Sequence, residues 1–175
     1  MTLYLLKNGP MQTTAAFAGV TTGTAIKTML QVKLGANLVT AKAKIVEWGC
    51  SFNGSAAATP GKVELITTGT IKATITEFVA ADITNLEDPN AAANTDDNPF
   101  AYGAAGDESG YTASAEGSIT AVRQLAGPQY IAPTTQYSWQ FPLGREPVFR
   151  YDEYMRIRMH FGAAVDAACY VIIEV

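Results

Sequence analysis

One histidine, His160, and two cysteines, Cys50 and Cys169, are what the chain offers for nucleophilic or metal chemistry. Ser-His-acid and Cys-His machinery needs a histidine held by an orienting partner beside the nucleophile. His160 instead shares the polar side of a strand-like run with Arg156 and Arg158. That pattern describes a solvent-facing or sheet-packed residue rather than a catalytic one. One histidine and two distant cysteines also give no recognisable zinc-ligand spacing. Acids remain: Asp82, Glu87, Asp88, Asp96, Asp97, Asp107 and Glu108 crowd one segment. Together they could collect a calcium ion, which takes about six to eight oxygens. Their spacing matches no EF-hand loop, so solvated loop acids and no metal are expected. A glycosidase needs two carboxyl groups about 5–9.5 Å apart in a cleft, usually floored by exposed aromatics, whereas Trp48 and Trp139 lie in alternating patterns that read as core. Gly103, Gly106 and Gly110 precede no predicted helix, so they cradle no phosphate. These residues predict no enzyme and no cofactor.

The elements that would position them are strands. In the last stretch Met155, Ile157, Met159 and Phe161 alternate with Tyr154, Arg156, Arg158 and His160. Ala167, Cys169, Val171 and Ile173 then alternate with Ala168, Tyr170, Ile172 and Glu174. Period two with a short turn at Gly162 to Asp166 predicts a hairpin. In that hairpin Arg158 faces the Tyr170 ring, Tyr154 faces Glu174, Ile157 meets Val171, Met159 meets Cys169, and the arginines stay out of the core. Further strands are expected at Ile26 to Leu34 and at Ala43 to Phe52, with Val46, Trp48, Cys50 and Phe52 on one face. Val63 to Thr68 and Ile71 to Val79 read as a hairpin or as one strand bent at Gly69. Ile119 to Leu125, Tyr137 to Phe141 and Pro147 to Tyr151 complete the set. Residues 80–118 read as a long irregular loop with one short helix over Leu86 to Asn94.

About eight to ten strands with no helical period of useful length predict an all-β, antiparallel two-sheet sandwich or barrel. No repeat or linker divides the chain, so residues 1–175 form a single domain, with 1–25 as a candidate N-terminal arm. A bridge between Cys50 and Cys169 requires their strands to adjoin; the expectation is two reduced, small buried hydrophobes.

Hydrophobic residues make up 48% and charged ones 16% of the 175 positions. Soluble domains carry about 25% charge, so much of this surface must be Thr, Ser, Asn, Gly and Ala, which suits packing against other proteins. A net charge of −4 with thinly spread basic residues excludes a phosphate-binding field, and with it direct nucleic-acid binding. No apolar run approaches the roughly 18 residues that span a bilayer, and Met1 to Pro10 lacks the pattern of a signal peptide, so synthesis in the cytosol and no membrane partner are expected.

Several stretches together resemble a known family: Glu47-Trp48-Gly49-Cys50-Ser51-Phe52, Val63-Glu64-Leu65-Ile66-Thr67-Thr68-Gly69-Thr70, Glu116-Gly117, Pro142-Leu143-Gly144-Arg145-Glu146, and Met155-Arg156-Ile157-Arg158 with its partner strand. The chain resembles small tailed-phage virion proteins with a jelly-roll-like β-sandwich that decorate or cement the capsid exterior. The likeness runs over most of residues 43–175 and omits Met1 to Ala25 and Ala80 to Asn98. It implies a non-enzymatic homo-oligomer, made in the host cytoplasm, that binds the lattice of a major capsid protein and resides in the virion. Leu3, Tyr4, Leu5 and Leu6 are too apolar for a free tail. They read as a partner contact that adds a strand to a sheet edge or docks on a neighbour, or equally as the first strand of the domain's own sheet. Arg145 and Glu146, between Pro142 and Pro147, read as a structural clamp at a turn. The alternative class is a carbohydrate- or ligand-binding sandwich module, which would display coplanar aromatics among Tyr102, Tyr111, Tyr130 and Tyr137.

Overall fold

The computed structural model describes residues 2–38, 40–54, 59–89, 98–103 and 108–175. Along them run β1 (Leu3–Lys7), β2 (Val20–Thr21), β3 (Lys27–Val32), β4 (Lys42–Asn53), β5 (Gly61–Thr67), β6 (Thr74–Glu77) and β7 (Thr84–Asn85). They continue with β8 (Gly110–Ala115), β9 (Arg123–Gln124), β10 (Gln129–Ile131), β11 (Gln136–Gln140), β12 (Val148–Arg150), β13 (Met155–His160) and β14 (Asp166–Glu174). The first sheet has the order β11-β4-β14-β1-β7, with β12 also on β4 and β2 also on β14. The second has the order β10-β5-β13-β3-β8-β6, with β9 also on β5. Every pairing is antiparallel.

The pairs β1 with β14, β3 with β13, β4 with β11 and β5 with β10 nest inside one another and alternate between the two sheets. A folded-over antiparallel ribbon wrapped around a core does this, so the molecule is a jelly-roll-like β-sandwich. One apolar cluster fills the space between the sheets. Met155, Ile157, Met159 and Phe161 enter it from the second sheet, and Ala167, Cys169, Val171 and Ile173 from the first. Each large member contributes about 1.5–3 kcal/mol by leaving water.

The expected terminal hairpin is not formed. β13 lies between β5 and β3 in the second sheet, while β14 lies between β4 and β1 in the first. Alternation assigns a residue to a face but does not choose its neighbour, and two apolar faces are satisfied equally well across a core. Phe161 to Val165 therefore bridges two layers, which pack about 10 Å apart. The expected pairs dissolve with the hairpin: Arg158 bonds Glu64 at 3.1 Å, Tyr170 bonds Glu47, and Arg156 is fully buried.

Other expectations change for local reasons. On β4 the register steps from Glu47 to Ile45 against Ile172 and Ile173. Val46 is thus the extra residue of a bulge, and Ile45, not Val46, joins Trp48 and Cys50 inside. β5 and β6 are neither a hairpin nor one bent strand, because β6 pairs with β8 far across the sheet. Trp139 is half exposed rather than core, since β11 is an edge strand. Only Arg123–Gln124 of the run from Ile119 to Leu125 is a strand. Residues 86–89 are not helical, and the rest of the expected helix, 90–94, lies outside the described residues. Within 80–118, β7 and β8 join sheets, while 90–97 and 104–107 lie outside the described residues.

Candidate functional site

Among the described residues, His160 and the acids singled out for catalysis or metal binding are not brought together. His160 is exposed at the end of β13, opposite Lys62. Asp82 accepts bonds from the backbone N–H groups of Met11, at 2.7 Å, and Val79, at 2.9 Å. Glu108 pairs with Lys33 at 2.8 Å and accepts the Tyr154 hydroxyl. Asp96, Asp97 and Asp107 lie outside the described residues. Among the described residues no three His, Cys, Asp or Glu side chains are placed to hold one ion.

Cys50 and Cys169 do fall on adjoining strands, directly opposite one another. Both are free and buried. Burial pushes the Cys50 thiol up to about 12 and Cys169 well above the ordinary range, which disfavours the reactive thiolate.

Charge is concentrated on the outer face of the second sheet, where it fastens loops. Arg156 has no exposed surface; its guanidinium donates to the Glu116 and Ile71 carbonyls and lies 3.4 Å from the Glu116 carboxylate. Glu116 in turn accepts the Thr28 backbone N–H and the Thr28 hydroxyl. Burial, opposed by the Glu116 charge, pulls Arg156 down to about 10. Beside it Glu64 receives both Lys62 and Arg158. Burial alone would raise the Glu64 carboxyl, but these two cations outweigh it and hold the group below the ordinary range. Arg156, Arg158, Lys62, Glu64 and Glu116 are thus paired with one another inside the chain, and the network holds strands and loops together.

The outer face of the first sheet is different. Leu5 of β1, Ala168, Tyr170 and Ile172 of β14, Ser51 of β4, and Gln136 and Ser138 of β11 line a groove of about 650 Å³, which Phe17 and Gln12 also border. Lys7 fixes that border by donating to the Gln12 amide oxygen and sitting 5.7 Å from the centre of the Phe17 ring. Across the floor the Tyr170 ring lies on Gly49, where a Cβ would come within 2.6 Å of it. Its hydroxyl donates to Glu47. Burial, and then that bond, push the Tyr170 phenol up to about 12. A mid-strand glycine often marks such a close approach; in Gly49 this was the one visible sign of the groove, whose apolar members come from both ends of the chain.

Leu3, Tyr4, Leu5 and Leu6 form β1 between β14 and β7 of the domain's own sheet. Leu6 is buried, and Tyr4 meets Phe100 edge-on at 5.4 Å. Tyr102, Tyr111 and Tyr137 pack against the core. Tyr130, Trp139 and Leu143 are the large exposed residues near the β10 and β11 edges, at 78%, 49% and 96%. No family model, no curated protein and no solved structure matches the chain.

Proposed function

We propose that the chain is a non-enzymatic structural protein of a virus particle, which decorates or cements the capsid exterior through protein–protein contacts with the major capsid protein. The apolar groove on the first sheet carries this reading. Leu5, Ile172 and Phe17 border open space on an outward face where an antiparallel sheet ordinarily turns polar side chains to water. The low charge content and the resemblance to phage decoration proteins point the same way. Cosedimentation with tailed-phage capsids, assembled from the shell protein of the same genome, tests it. The wild-type chain should pellet with them in a saturable manner, and Leu5→Glu should stay in the supernatant with an unchanged circular dichroism spectrum. Equal pelleting of both proteins would remove the groove from the account.

Tyr130 and Trp139 favour a second reading. They are exposed on β10 and β11, which only Ala132 to Thr135 separates, and exposed aromatics are what a carbohydrate-binding module presents to sugar rings. Glycan binding that is lost in Trp139→Ala would support this reading in place of the first.

A further inference from the structure

A sheet edge shows a row of unpaired backbone donors and acceptors, and proteins guard such edges with charge, proline, bulges or brevity. Among the described residues, three of the four sheet edges are guarded. β7 has two residues, β10 has three and is continued by the two of β9, and β6 is interrupted by a register shift. β11 is not: Gln136-Tyr137-Ser138-Trp139-Gln140 is a five-residue run without charge, proline or bulge. Four of its five residues are exposed, and among the described residues nothing pairs with its outer edge.

The backbone direction along β11 follows from its neighbours. The Thr135 carbonyl accepts from Phe52 N–H at 3.2 Å, and Phe141 N–H donates to the Val46 carbonyl at 2.9 Å. Antiparallel ladders alternate, so residues 135, 137, 139 and 141 bond toward β4. Gln136, Ser138 and Gln140 therefore aim their N–H and C=O groups at open solvent. The sequence is also symmetric in kind about Ser138, reading Gln, aromatic, Ser, aromatic, Gln.

We infer that β11 is a two-fold interface that pairs antiparallel with the β11 of a second copy of this chain, centred on Ser138. In that register Ser138 faces Ser138 and Gln136 faces Gln140, and all three outward residues of each copy form ladder bonds. Tyr137 faces Trp139 at the non-hydrogen-bonded sites, where side chains approach most closely. The half-exposed Trp139 of each copy is thereby covered. Pro142 falls opposite Thr134, and there the ladder stops, because proline has no N–H to give. Residue for residue the surface is self-complementary, as a two-fold contact requires. The first sheets of both copies become one continuous sheet that carries two grooves on its outer face.

This interface rests on reading the chain as an assembling structural protein and names one of its contacts. Sedimentation velocity of the full chain from about 1 to 100 μM, a range that brackets micromolar affinity, tests it alongside Ser138→Pro and Ser138→Lys. Proline removes only an N–H that the single chain leaves unused, and lysine sets two like charges face to face on an exposed surface. The wild type should form dimers, or larger assemblies built from them, and each variant should raise the dissociation constant about tenfold or more. The amides of Gln136, Ser138 and Gln140 should resist hydrogen exchange only in the paired state. Should Ser138→Pro unfold, Ser138→Lys decides alone. A wild type that stays monomeric throughout, or an oligomer that the variants leave intact, overturns the inference. A chain that pairs through Ser138 yet binds no capsid removes the virion reading and leaves the interface standing.

Discussion

At the scale of single residues, Arg156 shows what a buried charge does in this molecule. Its guanidinium bonds partners 40 and 85 positions away in sequence, and so pins two loop segments to the second sheet. Glu116→Ala leaves that charge uncompensated and should cost about 3–5 kcal/mol, read as a lowered denaturant midpoint. Arg156→Lys should restore little of what Arg156→Ala loses, since one ammonium cannot reach both carbonyls and the carboxylate at once. Gly49→Ala should cost about 1–3 kcal/mol, because the added Cβ displaces the Tyr170 ring and its bond to Glu47; a variant of wild-type stability would contradict the close approach. Cys50 and Cys169, buried with raised thiol values, should take up iodoacetamide at pH 8 only after unfolding, which mass spectrometry can count.

At the scale of elements, β5 and β13 tie their outer faces together through Glu64, Lys62 and Arg158. A carboxyl held below its ordinary value of 4.5 contributes stability that is fully present above that value and is lost as pH falls through the folded-state value. Glu108, lowered in the same way by Lys33 and Tyr154 against the effect of burial, acts in the same window. Chemical denaturation should therefore show stability falling below about pH 4.5, with a shallower fall in Glu64→Gln. The same strands mark how far the sequence could be read. Alternation identified the inward residues of β13 and β14 correctly, because it records which side of a strand meets the core. It is silent on which strand lies alongside, and so β13 and β14 looked like a hairpin. Val46 departs from the simple alternation because a bulge reverses the face without a glycine or proline to announce it. Arg156 looked solvent-facing because the loops that bury it carry no period of their own. The groove was hidden for a related reason: Leu5, Phe17 and Ile172 lie near opposite ends of the chain and meet only once β1 lies on β14.

At the scale of the whole molecule, the two outer faces divide the work. One carries ion pairs that fasten loops to it, and the other, beside its Lys44–Glu174 pair, holds an open apolar groove bordered by an unguarded edge. Such a division would suit a body that is anchored on one side and stays rigid on the other. The proposed placement of this chain on a virus shell can be checked most directly in purified virions, by quantitative mass spectrometry together with antibody labelling of intact particles. Many copies per particle are expected, reached by the antibody without disrupting the shell. Absence of the chain from particles that hold the major capsid protein would contradict it.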